Sequence, residues 1–169
     1  MSEIETIKQD FVSQWGALGS QWGVNRTMAM IHSLLLVSTK PLTTDQVMEE
    51  LEISRGNANT NLRELASWGL VRSVVLKGER KDFYEAEKDV WRIFCIVARE
   101  RKRRETEPAS KVLQSCVQRA QRLKTKEAKA LSKQLNELNE FVELANTIMD
   151  KVASKERSVL VPKLLKLLA

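Results

Sequence analysis

The sequence predicts a mainly α fold that contains a winged helix-turn-helix with a two-stranded β wing and long C-terminal dimerisation helices. Three observations carry this prediction. Two short capped helices follow one another across a tight turn within residues 41–69. Two segments rich in β-branched and aromatic residues then enclose a basic loop within residues 70–86. Beyond residue 126, apolar side chains recur at alternating spacings of four and three, the heptad pattern of helices that pack on one another.

The chain is predicted to divide into three regions. Residues 1–23 form an N-terminal helix and a glycine-containing loop, residues 24–86 a winged helix-turn-helix domain, and residues 87–169 a helical dimerisation region. Ser2 is expected to cap the first helix, because a serine side chain accepts a hydrogen bond from an unpaired N–H of the first turn. The first helix is predicted over residues 3–15, and three glycines then predict a loop or hinge: Gly16, Gly19 and Gly23.

Two further helices lead into the tight turn. The first runs from about residue 25 to residue 38 and ends ahead of Pro41. A threonine, Thr43 or Thr44, caps the second. Its apolar side chains, from Val47 onward, recur at the spacing of one helical face. The two helices are therefore predicted to pack against the helix that follows the turn.

The helix after the turn begins at Ser54 as N-cap and stops at Gly69, a favourable residue for a helix C-terminus. Ala58, Leu62 and Leu65 share one face and are expected to point into the core. The other faces are polar and basic. This helix is therefore the predicted recognition helix of the motif.

The wing is predicted from two short strands and the loop between them. Residues 70–76 and 82–86 read as antiparallel partners. The connecting loop Lys77–Lys81 has three cations and no apolar side chain. A loop of this composition suits contact with the DNA backbone or the minor groove.

The recognition helix carries residue types that read base edges in the major groove. Arg can donate to guanine O6 and N7, and Asn can pair with adenine N6 and N7. Three asparagines lower helix propensity, which indicates a role other than helix stability. In the wing, Arg80 is expected to enter the minor groove, and Lys77 and Lys81 to contact phosphates. The predicted contacts from the helix are Arg55, Asn57, Asn59, Thr60 and Arg63.

The charge distribution points to the same partner. The chain has a net charge of +6 and a pI near 9.4, which suits an anionic partner. Residues 1–53 carry a net charge of −4, residues 54–104 of +6 and residues 105–169 of +4. The basic excess begins at the predicted recognition helix. Double-stranded DNA is therefore the expected partner, and residues 24–86 the DNA-binding domain.

A further helix, from Lys88 to about Glu105, ends in the basic run Arg99–Arg104. Pro108 is expected to interrupt it, with Ser110 as the cap of the next helix. The basic run either contacts phosphates or is a solvated helix end, where the dipole favours cations. We favour the second interpretation, because a helix that leads to a dimer core runs away from DNA.

The last long helix, predicted over about residues 126–154, carries the heptad seam. The seam needs a partner helix, either in the same subunit or in a second copy of the chain. Because helix-turn-helix proteins read two half-sites as dimers, we favour a homodimer. The amphipathic tail, residues 159–168, is expected to pack on the same dimer core. The seam residues are Leu131, Leu135, Leu138, Val142, Ala145, Met149 and Val152.

Composition argues against an enzyme, a metal or cofactor site, and a membrane protein. His32 is the one histidine, and it lies in an apolar helix without a neighbouring nucleophile or acid pair. Cys95 and Cys116 form no CxxC pair. No apolar run approaches the roughly 20 residues that span a bilayer. The acidic N-terminus lacks a signal pattern, so a cytoplasmic location is expected.

Two other classes of function remain open on the sequence alone. A winged helix can be the scaffold of a protein-interaction module, which predicts an acidic or apolar recognition helix. A redox-responsive regulator would use Cys95 and Cys116, although neither has a neighbouring cation or cap that clearly activates a thiol. The Arg- and Asn-rich face and the basic wing favour DNA binding over both.

In combination these residues resemble the MarR superfamily of winged-helix regulators, and within it the GbsR-like branch. The resemblance covers about residues 5–105. It implies a homodimeric repressor or activator of transcription on a pseudo-palindromic operator, in a branch associated with osmoprotectant metabolism and responsive to choline-like molecules. The elements that carry it are Phe11 with the three glycines, Pro41-Leu42-Thr43, Leu51-Glu52-Ile53-Ser54-Arg55-Gly56, Leu65 with Trp68-Gly69-Leu70-Val71, and Gly78-Glu79-Arg80-Lys81 before Phe83-Tyr84.

A small-molecule effector is expected from the same resemblance. Trp15, Trp22 and Trp91 lie near the predicted joints between the DNA-binding domain and the helical region. Aromatic faces attract quaternary ammonium groups, which fits a choline-like cation. The alternative is that these tryptophans fill the core.

Overall fold

A computed structural model describes residues 2–156 and residue 158. The chain separates into two compact units, Met1–Ile93 and Phe94–Ala169. The predicted tail over residues 159–168 lies outside the described residues. The mainly α, winged-helix class predicted from the sequence is confirmed. The three predicted regions stay a prediction, since two compact units do not test their boundaries.

The described part of the first unit contains four complete helices, three short strands and the start of a fifth helix, and side-chain caps start each of the four complete helices. Ser2, Asn25, Thr43 and Ser54 each accept a hydrogen bond from a backbone N–H of the first turn. The sequence allowed either Thr43 or Thr44 as the cap of the third helix, and the structure shows that it is Thr43. The helices are α1 (Glu3–Gln21), α2 (Arg26–Val37), α3 (Thr44–Leu51) and α4 (Arg55–Trp68).

The predicted glycine-containing loop over residues 16–23 is wrong for most of its length, because α1 continues to Gln21. Gly16 and Gly19 lie inside the helix, where they let α1 approach α2 closely. A Cβ atom on Gly19 would stand 2.6 Å from the Cβ of Ala29, and one on Gly16 would collide with Met30. Close helix packing, rather than backbone freedom, explains these two glycines.

The sheet has one strand more than the sequence predicts. The strands β2 (Val71–Val74) and β3 (Phe83–Ala86) pair antiparallel as expected, and β1 (Leu42–Thr43) pairs with the other edge of β3. A strand of two residues is too short to show the alternation of apolar and polar side chains by which strands are predicted. The strand with which it pairs lies about forty residues later in the chain. The sheet therefore ties the start of α3 to the base of the wing.

An apolar core lies between the helices and the sheet of the first unit. The three residues predicted to face inward from α4, Ala58, Leu62 and Leu65, are all buried. The turn between α3 and α4 passes through Glu52 in the left-handed conformation, with φ of 53°. The largest fully buried side chains of this unit include Ile31, Leu35, Val47, Leu62 and Leu65. The core therefore holds α4 by one face and leaves its other faces to solvent.

The helix α5 (Val90–Arg101) continues through a π-helical segment, Lys102–Thr106, into α6 (Glu107–Gln121). The predicted interruption at Pro108 is therefore wrong. The proline lies in the first turn of α6, directly after the wider π-helical turn. A wider turn relieves the clash that a proline ring makes with the carbonyl four residues earlier. Ser110 is a buried residue of α6 rather than its cap.

The last helix, α7 (Lys126–Ala153), begins at Thr125 as N-cap and packs along α6. Buried residues of the two helices are both apolar, such as Val117 and Ala128, and polar. The Ser110 Oγ donates to Asn139 Oδ1 at 3.0 Å and is also paired with Glu143. Thr106 is hydrogen-bonded to the buried Asn146. Side-chain hydrogen bonds and apolar contacts together therefore join this helix pair.

Candidate nucleic-acid interface

The helix α4, which the sequence predicts to be the recognition helix, presents most of its polar residues to solvent. Arg55, Asn57, Thr60 and Arg63 are exposed, and Asn59 is half-buried. The Arg63 Nε donates to the Asn59 backbone oxygen at 3.3 Å, which holds the arginine along the helix surface. These residues occupy the first three turns of α4, the half that enters the groove in this motif.

Asn57 has internal partners that the sequence did not reveal. Its side-chain oxygen accepts a hydrogen bond from Asn61 Nδ2 at 2.7 Å, and its Nδ2 donates to Thr27 Oγ1 at 3.4 Å. Asn61 is buried beside it. The pair links α4 to the start of α2. Two of the three asparagines of α4 therefore make contacts within the first unit, whereas the Asn59 side chain makes no hydrogen bond within the described residues.

The wing loop connects β2 to β3 and carries its cations outward. Gly78 has φ of +89°, a conformation that favours glycine and lets the loop turn back tightly. At the base of the wing, Arg72 and Glu85 are register partners and form an ion pair of 2.5 Å. Lys77 and Arg80 are exposed and have no ion-pair partner within the described residues. Both remain available to an external anion.

Asp45, in the first turn of α3, was not singled out by the sequence analysis. Its carboxylate is ion-paired with Arg55 of the recognition helix, and it accepts a hydrogen bond from Lys81 of the wing at 3.0 Å. The hydrogen bond from Lys81, followed by that from Arg55, lowers the pKa of the Asp45 carboxyl. In the sequence Asp45 precedes both of its partners and lies within the net-acidic residues 1–53, so the pairing is visible only in the fold.

His32 is a buried residue of α2 and has no partner for its Nε2 within the described residues. Burial, and then the charge of Lys88, lower the pKa of His32 to about 4. The Lys88 Nζ donates to the carbonyl oxygens that end α2, those of Leu35, Leu36 and Ser38. The lone histidine is therefore an interior residue next to a helix-end cap.

The basic run Arg99–Arg104 is neutralised within the second unit. Lys102 is paired with Asp150 at 2.8 Å and with Glu107 at 3.0 Å, and Arg103 and Arg104 both reach the buried Glu100. Arg99 and Arg101 also have carboxylate partners. The sequence offered phosphate contact or a solvated helix end. The side chains instead form a network of ion pairs, so neither description is complete.

The predicted dimerisation seam is divided between two surfaces of α7. Leu131 and Leu138 are exposed, and the other five members are half-buried. Exposed apolar side chains continue from Leu131 and Leu138 along the same helix to Phe141, Leu144 and Ile148. We call these five residues the α7 apolar face. α6 leaves this face open.

Two of the three predicted effector residues are exposed. Trp15 is 42% exposed and its ring lies 5.4 Å from that of Phe11, while Trp22 is 69% exposed at the end of α1. Trp91 is half-buried in α5. The alternative of simple core filling is therefore wrong for Trp15 and Trp22. Whether a cation binds there stays a prediction.

The remaining chemistry of the described residues is sparse. Cys95 is buried and its Sγ donates to the Val152 oxygen at 3.4 Å, and neither it nor Cys116 forms a disulfide. Across the residues that the structure describes, no three His, Cys, Asp or Glu side chains gather as metal ligands. In that same part of the chain, no helix is both long and apolar enough to cross a bilayer.

The fold and this surface define the chain as a winged helix-turn-helix protein. A helix-turn-helix of α3 and α4, a three-stranded sheet and an exposed basic loop together constitute that class. No family model matches the sequence.

The chain is related to HTH-type transcriptional regulators of Bacillus subtilis (strain 168). It is 24% identical to the putative HTH-type transcriptional regulator YvaV over 94 residues, 56% of this chain and 53% of that protein. It is 26% identical to the HTH-type transcriptional repressor GbsR over 73 residues, 43% and 40% of the two proteins. It is 23% identical to the HTH-type transcriptional repressor OpcR over 91 residues, 54% and 49%.

These relatives confirm the resemblance predicted from the sequence, at low identity. The chain spans about half the length of the curated relatives it matches. A solved crystal structure of a transcriptional regulator superposes with a TM-score of 0.69 at 17% identity, covering 88% of this chain and 96% of that one. That likeness concerns the fold alone.

Proposed function

We propose that this chain is a sequence-specific DNA-binding regulator of transcription that acts in the cytoplasm as a homodimer on a pseudo-palindromic operator. The observation that carries the proposal is the polar face of α4, with exposed Thr60 and Arg63 and half-buried Asn59, together with a wing whose Lys77 and Arg80 lack ion-pair partners within the described residues. The relatives are transcriptional regulators, and two of them are repressors, which favours repression.

The homodimer is proposed from the α7 apolar face. A single chain leaves Leu138 48% exposed and Phe141 68% exposed. Apolar side chains that are exposed side by side in this way often mark an interaction surface. A second copy would offer the same face, so a two-fold interface can be self-complementary. The two recognition helices would then read half-sites whose centres lie one turn apart, about 34–36 Å, or a multiple of that distance.

The effector proposal is a choline-like cation that binds beside Trp15 and Trp22. Their exposed aromatic surfaces favour cation–π contact. Such a ligand changes DNA binding only if it binds one conformation of the dimer more tightly than another. Calorimetry with choline and betaine tests this, with Trp22→Ala as the control. Absence of heat with both compounds, together with unaltered operator binding, would contradict it.

The experiment that tests DNA binding is selection from random duplexes followed by fluorescence anisotropy with the winning sequence. We expect a two-fold symmetric motif and a marked preference over a scrambled duplex of the same length and composition. A protein-interaction module would show no sequence preference in this selection. Addition of an oxidant to the same assay checks the redox alternative, which requires binding to change through Cys95 or Cys116.

A further inference from the structure

Asp45 joins two surfaces that are both expected to meet DNA. Its carboxylate pairs with Arg55, the first residue of the recognition helix, and with Lys81, at the end of the wing loop. These two cations belong to separate segments of the chain, 26 positions apart by residue number. One carboxylate therefore links the helix and the wing across the surface on which DNA would lie.

Asp45 is not needed to start its own helix. Thr43 is the N-cap of α3, where its hydroxyl accepts from the Gln46 N–H at 3.2 Å, and the Gln46 side chain accepts from the Thr43 N–H at 2.8 Å. This reciprocal pair already satisfies the helix start. The Asp45 side chain instead extends to the two cations and remains partly exposed. A purely local structural role is therefore a poor explanation.

We propose that Asp45 is an intramolecular substitute for a DNA phosphate, which occupies Arg55 and Lys81 in the free protein and yields them when DNA binds. The inference rests on the proposed function. A carboxylate between two cations matches the charge and the acceptor geometry that a backbone phosphate offers. Because both ion pairs are solvent-exposed, they are weak enough for a phosphate to replace them.

The consequence is a selective reduction of non-specific binding. Non-specific affinity comes almost entirely from cation–phosphate contacts, whereas specific binding adds contacts with base edges. A carboxylate that competes for two cations therefore weakens binding to any duplex. It leaves Asn59 and Arg63 free to read bases. This competition therefore raises the fraction of the binding free energy that depends on the DNA sequence.

The test substitutes Asp45→Asn, which keeps the shape and removes the charge, and measures binding to a scrambled duplex by anisotropy. We expect affinity to rise about 5- to 30-fold at low salt and the salt slope to steepen by about 1. Glu49→Gln is the matched control, because Glu49 is an exposed carboxylate on the same helix without an ion pair within the described residues. That variant should gain less than about 2-fold.

A second background identifies the cations involved. In a chain that also carries Arg55→Ala and Lys81→Ala, the gain from Asp45→Asn should vanish. A gain that persists there, or one equal to that of Glu49→Gln, would show a general charge effect and overturn the proposal. The proposal would also be overturned if the Asp45→Asn variant were folded but bound the duplex more weakly than the wild type. Asp45 would then support the complex with DNA rather than compete with it.

Elution from immobilised heparin separates this inference from the proposed function. Heparin is a polyanion without bases, so it detects free cations whether or not the protein regulates transcription. If Asp45 masks Arg55 and Lys81, Asp45→Asn elutes at higher salt than Glu49→Gln. Equal elution contradicts the masking. Later elution combined with no sequence preference in duplex selection supports the masking and removes the proposed DNA function.

Discussion

The two units of this chain treat their clustered cations in opposite ways. The first unit, Met1–Ile93, leaves cations such as Lys77 and Arg80 exposed and outside the ion pairs of the described residues. The second unit, from Phe94, pairs the cations of Arg99–Arg104 with carboxylates and leaves the α7 apolar face exposed. The cations of the wing therefore stay available to an external anion, whereas those of the run Arg99–Arg104 do not.

The difference teaches that the number of charges on a segment does not tell which charges are available. Both the wing and the run Arg99–Arg104 are basic in sequence. Carboxylates from α5, α6 and α7 and from residue 156 pair with the run, whereas on the surface formed by α4 and the wing Asp45 pairs with Arg55 and Lys81 and leaves Lys77 and Arg80 exposed. An anionic partner is thus expected at the first unit rather than at the run Arg99–Arg104.

The largest expected effect comes from charging the α7 apolar face. We expect Leu138→Lys with Phe141→Lys to weaken self-association at least a thousandfold, about 4 kcal/mol, because each buried side chain of this kind contributes roughly 1.5–3 kcal/mol. Both side chains are exposed in the single chain, so the monomer should still fold. Sedimentation velocity measures the change. Thr147→Lys, at an exposed position of α7, is the control.

An unchanged dimer in that double variant would show that the α7 apolar face is not the dimer interface. Leu135→Lys sharpens the comparison further, because Leu135 is half-buried on the same helix. It should destabilise the pair of α6 and α7 before it affects association. Far-ultraviolet circular dichroism during denaturation distinguishes the two results.

Acid should destabilise the first unit through its apolar interior. The pKa of His32 is about 4 in the folded chain, against an ordinary value of 6.5, so the unfolded chain takes up the proton first as pH falls. The contribution of neutral His32 to the free energy of unfolding is fully present above about pH 6.5 and is lost as the pH falls toward 4. The loss is about 1.4 kcal/mol per pH unit, hence roughly 2 kcal/mol by pH 5.

Tryptophan fluorescence during urea denaturation measures this effect, because all four tryptophans lie in the first unit. His32→Gln cannot titrate and should flatten the dependence between pH 6.5 and pH 5. A wild-type stability that is constant over this window would mean that His32 accepts a proton in the folded chain at little cost.

The next effect concerns the face of α4. Arg63→Ala and Asn59→Ala should each weaken binding to the selected operator by roughly 1–3 kcal/mol and relax base preference at one position. Arg99→Ala is the matched control from the neutralised run, because Arg99 is already paired with Glu156. Titration by anisotropy against the operator and single-base variants gives both numbers. Intact specificity in both α4 variants would refute the assignment of the recognition helix.

The smallest effect is expected from a single wing cation. Lys77→Ala should weaken all duplexes about equally and reduce the salt slope by about 1, because one phosphate contact is lost. Lys102→Ala removes the same charge from the second unit, where Lys102 is held by Asp150 and Glu107. Its slope should match the wild type. Equal slopes for the two variants would remove the distinction between available and neutralised cations.

Local signals in the sequence determined much of the first unit. The caps Ser2 and Ser54, the stop at Gly69 and the inward face of α4 were predicted from residue type and spacing, and the structure confirms them. These features depend on interactions within a few residues along the chain, which is why sequence patterns report them. The winged helix-turn-helix class followed from their order.

Tertiary packing decided what those signals could not. Gly16 and Gly19 read as helix breakers, yet they lie within α1 because α2 needs close approach there. The strand β1 exists only because β3 offers it an edge. Pro108 continues a helical segment because a π-helical turn precedes it. In each case the deciding partner is distant in sequence or shifts the local hydrogen-bond register.

The sequence by itself determined which residues are basic, apolar or capping, and hence the class of fold and the surface that α4 presents. Only the tertiary structure decided which charges stay available, since Asp45 reaches Arg55 and Lys81 across 10 and 36 positions of the sequence. It likewise decided that the heptad seam of α7 is shared between α6 and the exposed apolar face. Ion pairing and burial depend on distances between atoms, which residue order alone does not contain.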